Sequence, residues 1–223
     1  MEQVKVIIVA AGTGSRFGAD CPKQYCMMNG RPVLMTTIDS FRAALPDAEI
    51  IVVISENMQE FWERLCKQHE FISPRIVFGG ATRWESVRKG LSSLWPTHPD
   101  AIVLVHDGAR PLVPSEMIER VVDGAKISDG AVPVIPVTDS LRKVTPDGSE
   151  SVERSLFRAV QTPQGFRCSK LWSAYAFPYS PLFTDDASVI EYAGCKNIKL
   201  VDGDRRAMKI THPLDIKIVE AML

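Results

Sequence analysis

The chain has 223 residues, with 26 Lys plus Arg against 27 Asp plus Glu, a formal net charge of −1. A near-neutral chain lacks the field that holds a nucleic-acid backbone, and 45% hydrophobic with 24% charged residues excludes a disordered composition. No uncharged apolar run reaches the roughly 18 residues of a membrane span, and VIIVAA at 6–11 is too short for a secretory signal. The expectation is a soluble, cytoplasmic protein with neither nucleic acid nor membrane as partner.

In chain order, VKVIIVA (4–10), EIIVVIS (49–55), RIVFG (75–79), AIVLVHD (101–107) and GAVPVIPV (130–137) read as strands. Each is apolar without alternation, the pattern of parallel strands covered on both faces. Between them, 33–44, 56–69, 82–94 and 114–127 carry apolar residues at helical spacing, such as Val87, Leu91 and Leu94. Pro114 followed by Ser115, Glu116 and Glu119 marks a helix start, with acids near the positive end of the dipole. Repeated βα units imply right-handed crossovers and an open, doubly wound, Rossmann-like and mostly parallel α/β sheet. Ligands of such sheets sit at the carboxyl ends of the strands.

The rhythm breaks at 138–162. There DSLRKV, TPDGSESVERS and FRAVQTPQ read as extended segments around a turn at Pro146-Asp147-Gly148, a protruding β-arm too polar to bury itself. The βα rhythm resumes at 168–177, 185–194, 197–202 and 213–222. One domain over 1–223, carrying this arm, is the expected organisation. The five cysteines include no C-x-x-C pair and the four histidines no H-x-x-x-H pair, so neither a disulfide framework nor a protein-held metal is predicted.

The strongest chemical signal follows the first strand: Ala10-Ala11-Gly12-Thr13-Gly14-Ser15-Arg16-Phe17-Gly18, then Pro22-Lys23-Gln24. Glycines there let backbone N–H groups approach a phosphate. A P-loop is excluded because Gly-Lys-Ser/Thr is absent, and a dinucleotide fingerprint because Phe17 stands where Gly or Ala is required. Two cations beside a glycine loop suit a reaction that spreads negative charge over phosphoryl oxygens, though a merely solvated loop also fits the spacing. A second constellation, Val105-His106-Asp107-Gly108-Ala109-Arg110-Pro111, ends the fourth strand. Its Asp and Arg could grip a hydroxylated, phosphorylated ligand or form a structural ion pair. Gly79-Gly80 with Arg83 and Ser86 opens a helix, a natural place for an anion or a base edge, and Lys209 lies late in the last αβ unit.

Together, A-A-G-x-G-x-R-x-G with C-P-K-Q, then G-G-x-x-R-x-x-S-V, V-H-D-G-A-R-P, V-x-R, T-P-Q, T-D-D-A-S and M-K-I-T occur in this order. Over about residues 4 to 220 the sequence resembles the 2-C-methyl-D-erythritol 4-phosphate cytidylyltransferase family of the non-mevalonate isoprenoid pathway. The resemblance implies a nucleotidyltransferase fold and a CTP loop including Ala11, Gly12 and Gly14. It also implies transition-state cations at Arg16 and Lys23, and base reading at Gly80 and Ser86. Asp107, Arg110, Ser140, Thr162 and Lys209 match positions around the polyol phosphate, with Lys209 counted among the catalytic cations. Arg154 matches an arginine that reaches the site from the partner subunit of a homodimer. Mg²⁺, held chiefly by the phosphates of CTP, is the implied cofactor.

Gly108, Thr82 and Ser140 stand where the family often has Ala, Glu and Thr, departures that touch substrate fit and no charged group. The chain end near 223 implies that no fused cyclodiphosphate synthase follows. A phosphate monoester is already an anionic nucleophile, which accounts for candidate residues that are mostly cations and not a His–carboxylate pair. A cytidylyltransferase for another polyol phosphate such as ribitol 5-phosphate, a sugar-nucleotide pyrophosphorylase and a non-catalytic nucleotide-binding relative are the alternatives at this point.

Overall fold

The computed structural model describes residues 3–12 and 22–223. In chain order the elements are β1 (Val4–Ala10), β2 (Met27–Met28), β3 (Arg31–Pro32), α1 (Val33–Ala44), β4 (Glu49–Ile54), α2 (Gln59–Gln68), β5 (Arg75–Phe78), α3 (Arg83–Ser92), β6 (Ile102–Asp107) and α4 (Ser115–Lys126). There follow β7 (Gly130–Pro136), β8 (Arg142–Thr145), β9 (Gly148–Ser151), β10 (Arg158–Val160), β11 (Gln164–Arg167), α5 (Cys168–Ala174), α6 (Asp186–Tyr192), β12 (Ile198–Asp202) and α7 (Pro213–Glu220).

The apolar runs become strands because each is covered from both sides. β1 pairs in parallel with β4 and β6, and β4 with β5. Its side chains alternate between two cores. Val6 and Ile8 pack in the cluster that holds Ile38 and Phe41 of α1 and Met117 and Val121 of α4. Ile7 packs on the other side with Val87 and Leu91 of α3 and Leu171 of α5. Every one of these side chains is fully buried, and truncating such a residue to alanine costs about 2–5 kcal/mol. Helices on both faces make this the doubly wound, mostly parallel α/β sheet that the sequence predicts.

Beyond β6 the sheet departs from a purely parallel plan. β11 lies between β6 and β7 and runs antiparallel to both. β10 runs antiparallel to the end of β7, while β12 pairs in parallel along β7. Val134 pairs with both Val160 and Asp202, so β10 and β12 occupy opposite edges of β7. Four residues with one glycine, Gln164-Gly165-Phe166-Arg167, give too short a pattern to read as a strand, which is why β11 has no counterpart in the sequence reading.

The stretch 138–162 divides in two. β8 and β9 form a hairpin of their own, apart from the main sheet and exposed along almost its whole length. Arg158–Val160, by contrast, belongs to the main sheet, and Gln161 and Thr162 behind it are buried. Two smaller differences have local causes. Asn29 and Gly30, with φ of 46° and 76°, close a two-residue turn between β2 and β3, a geometry Asn-Gly favours. The expected helix at 56–69 starts as a single 3₁₀ turn over Glu56–Met58 before α2 begins. No helix among the described residues is long and apolar enough to cross a membrane.

Candidate active site

A cavity of about 570 Å³ opens at the carboxyl ends of β1 and β6, where a doubly wound sheet holds its ligands. Ala11, Gly12, Lys23, Gly80, Ser86, Asp107 and Lys209 all line it. The structure therefore brings together residues from five separate stretches of sequence. Gly14 and Arg16 lie outside the described residues.

One wall is built from main chain held in place by side chains. After β1, the buried Gln24 spends its amide on two carbonyls, those of Ala10 at 2.7 Å and Gly12 at 2.9 Å. This fixes the exit of the strand beside Lys23, its immediate neighbour. Across the cavity, Ser86 Oγ accepts from the Gly80 N–H at 3.1 Å and donates to the Thr82 carbonyl at 3.0 Å. Glu85 Oε2 accepts from Ala81 N–H at 2.6 Å, and Thr82 closes a capping box with Glu85 at the start of α3. A Cβ at Gly79 would stand 2.5 Å from Ala11 Cβ, so glycine is what lets these two loops meet.

The opposite wall is electrostatic. Asp107, at the end of β6, receives Lys209 Nζ on Oδ2 at 2.7 Å and Arg83 Nε on Oδ1 at 3.1 Å. Arg110 Nε stands 3.7 Å from Oδ2, buried and without a hydrogen-bond partner. Burial alone would raise the Asp107 carboxyl pKa, but Arg83, Lys209 and Arg110 outweigh it and hold the group well below the usual carboxylate range. Asp107 is thus a fixed anion.

Behind it, Thr162 Oγ1 accepts from the Asp107 N–H at 3.1 Å and lies 3.0 Å from His106 Nδ1. Because the hydroxyl already accepts from that N–H, its own proton goes to Nδ1, and Nε2 carries the proton that reaches the Arg110 carbonyl at 3.1 Å. Burial pushes the imidazole down to about 3, so it is neutral in the fold. Thr162 therefore acts on the site from behind Asp107, with its hydroxyl already engaged.

The remaining predicted residues are placed differently. Arg110 lines a second cavity, of about 290 Å³, with Thr138, Gln161 and Arg205. Its Nη1 donates to the Ala207 carbonyl at 2.8 Å. Ser140 and Arg154 are exposed on the stretch around the β8–β9 hairpin, and neither lines the main cavity. Arg154 donates to the Thr138 carbonyl of its own chain.

Gln24 and Asp186 have clear work in the site but no role in the sequence reading, and Arg83, singled out there at the helix start, is given no partner. Gln24 and Arg83 stand inside the motifs beside assigned neighbours, and the T-D-D-A-S motif contains Asp186. Their roles depend on partners 11 to 103 positions away, which spacing cannot show.

Among the described residues no group of three or more His, Cys, Asp or Glu could hold a metal ion. Among the described residues Asp107 is the carboxylate that lines the main cavity, and three cations already surround it. These residues suit a hard cation that arrives on a ligand's phosphates, not one caged by protein.

A glycine-rich strand exit, a main-chain wall at a capped helix and a cation-rich floor on a doubly wound sheet define a nucleotide-binding α/β protein of the nucleotidyltransferase type. Residues 4–223 match the model of the family described as 2-C-methyl-D-erythritol 4-phosphate cytidylyltransferase, and the chain belongs to that family. The protein of that name from Bacteroides thetaiotaomicron is 43% identical over 219 residues, 98% of each chain. The one from Porphyromonas gingivalis strain W83 is 42% identical over 226 residues, spanning 100% of this chain and 99% of its own. The crystal structure of the Thermus thermophilus cytidylyltransferase superposes with a TM-score of 0.77 at 35% identity, covering 100% of this chain and 98% of that one. A 4-diphosphocytidyl-2C-methyl-D-erythritol synthase structure gives 0.82 at 29% identity, covering 100% and 99%.

Proposed function

We propose that this chain transfers the cytidylyl group of CTP to 2-C-methyl-D-erythritol 4-phosphate, giving 4-diphosphocytidyl-2-C-methyl-D-erythritol and pyrophosphate. The observation that carries this reading is the single cavity joining Lys23, the Gly80–Ser86 wall and the Asp107–Lys209 pair. An oxygen of the acceptor phosphate forms the new bond to the α-phosphorus. The bond from that phosphorus to the bridging oxygen breaks, and its electron pair leaves with pyrophosphate. The acceptor is anionic near neutral pH, so no general base is required. The one histidine near the site is neutral, buried and already hydrogen-bonded on both nitrogens.

Catalysis is then positioning and charge neutralisation. Lys23, with Arg16 on the glycine loop, meets the charge that grows on the phosphoryl oxygens. Ala11, Gly12 and Gly14 form the phosphate loop. Gly80 and Ser86 present a fixed edge to the base, and cytosine offers it an amine where uracil offers a carbonyl. Asp107 accepts from acceptor hydroxyls, while Lys209 and Arg110 attract the acceptor phosphate. Mg²⁺ bound to the triphosphate supplies further charge neutralisation.

The exposed hairpin supports a two-fold homodimer in which Ser140 and Arg154 complete the partner's site. Val144 and Leu156 are 83% and 76% exposed, apolar surface that a second copy would cover. A cytoplasmic location belongs to the same proposed reading. The test is pyrophosphate release over a panel of nucleotides and polyol phosphates. Release confined to CTP with 2-C-methyl-D-erythritol 4-phosphate is expected. Equal rates with ribitol 5-phosphate, or with UTP or GTP and a sugar phosphate, would replace this reading.

A further inference from the structure

Arg83 stands in the first turn of α3, one residue past the cap that closes the glycine segment. Its guanidinium faces two carboxylates from distant parts of the chain. Nη1 and Nη2 donate to Asp186 Oδ1 and Oδ2 at 3.1 and 2.7 Å, a two-point pair, while Nε donates to Asp107 Oδ1 at 3.1 Å. Asp186 is fully buried at the start of α6, and its Oδ1 also accepts from the Tyr175 hydroxyl at 2.6 Å. A buried carboxylate with a bidentate guanidinium and a phenol on it has one orientation. All three nitrogens of the Arg83 fork are therefore committed, two to Asp186 and one to Asp107.

We propose that the Arg83–Asp186 pair is a positioning device for the polyol acceptor, fixing Asp107 so that one of its oxygens stays with Arg83 and the other serves the cavity beside Lys209. The inference rests on the cytidylyl-transfer reading above and extends it to residues that need not touch either substrate. The physical reason is competition for one carboxylate. With Asp186 in place, two of the fork's five N–H groups are held at Asp186 and Nε alone donates to Asp107, while Oδ2 accepts from Lys209 at 2.7 Å and keeps a second lone pair for the cavity. Without the Asp186 charge, the freed fork is drawn onto Asp107 at two points, as guanidinium and carboxylate prefer. A second Arg83 N–H then takes the Oδ2 lone pair that Lys209 leaves open, and a substrate hydroxyl must displace a protein donor. A lysine at position 83 fails for the opposite reason. Its single ammonium cannot hold both oxygens of Asp186 and reach Asp107 as well.

The test is steady-state kinetics of Asp186→Asn and Arg83→Lys, with melting temperatures, against Tyr175→Phe. Tyr175→Phe removes the hydrogen bond on the core side of Asp186 and leaves the fork in place. Loss of one charge-assisted contact to the acceptor predicts that each of the first two variants raises the acceptor KM about tenfold or more, with the KM for CTP changed by less than about threefold. Tyr175→Phe is expected to lower the melting temperature while leaving both KM values near wild type. Asparagine at 186 could unfold the chain by stranding Arg83, in which case Arg83→Lys, which keeps the charge, decides the matter. An acceptor KM that stays put, or two KM values that rise together, makes the pair structural and overturns the inference. So does failure of both variants to fold by circular dichroism. A wild-type chain that transfers nothing to this acceptor overturns the functional reading and this inference together; an active wild type with unmoved variants overturns the inference alone.

Discussion

The Asp107 cluster and the β8–β9 hairpin are two polar regions of this molecule, and they are built on opposite terms. Around Asp107 the polar groups answer one another within the chain: Lys209 and Arg83 on the carboxylate, Asp186 on Arg83, Thr162 on His106. In the hairpin the charges meet water. Lys143 pairs with Glu150 at 2.9 Å with both side chains more than half exposed, a contact worth about 0–1 kcal/mol at most. The first region takes its geometry from bonds within the chain. The second leaves its side chains at the surface. A buried charged site and an exposed charged hairpin are thus written in the same residue types, and burial separates them.

The largest expected effect breaks the preformed half of the site. Lys23→Ala or Arg16→Ala should lower kcat by roughly 10²–10³, about 2.7–4 kcal/mol of transition-state stabilisation, with a much smaller change in CTP affinity. Rapid-quench turnover beside nucleotide binding by calorimetry checks it. Near-normal turnover in a folded variant would remove these cations from the chemistry.

The next effect tests whether the two regions meet across a dimer. Arg154→Ala and Lys23→Ala are each expected to be nearly inactive alone. After subunit exchange, each heterodimer should regain one intact site and at most half of wild-type activity. Confirmed exchange without recovered activity would place both residues in one subunit's site and leave the hairpin outside the chemistry.

A third effect sharpens the contrast through acid. His106 is neutral in the fold down to about pH 3, whereas an unfolded histidine protonates near 6.5. Between those values the unfolded chain binds the extra proton, so stability falls as pH falls, by up to about 1.4 kcal/mol per pH unit. Asp107 adds its own loss only below the ordinary carboxylate range, since its folded pKa is depressed and its contribution persists until the unfolded group begins to protonate. Urea melts from pH 6.5 to 4.5 should therefore show a slope that His106→Gln flattens. An unchanged slope in that variant would mean that the imidazole is not held neutral.

The smallest effect lies at the hairpin. Val144→Asp replaces an exposed side chain, so folding stability of the monomer should change by no more than about 0.5 kcal/mol. Sedimentation should nevertheless shift toward monomer. A variant that sediments as wild type would mean that this face is not an interface.

What the sequence determined by itself follows from local rules. Short unbroken runs rich in β-branched residues favour strands buried on both faces, so β1, β4 and β6 and the helices between them were legible from composition and period. The motifs were legible too, because a glycine loop with Lys23, or Asp107 at a strand end, needs only neighbours in the chain to be noticed. Tertiary structure decided the rest. Gln164-Gly165-Phe166-Arg167 becomes a strand only because β6 and β7 leave a slot between them. The fork of Arg83 acquires meaning only when α6 carries Asp186 to within 2.7 Å of it across 103 positions, and the Thr162 hydroxyl meets the Asp107 N–H and His106 only because the fold places them together. Hydrogen bonds and ion pairs act over about 3 Å of space, and no spacing along the chain records which distant residues folding will bring that close.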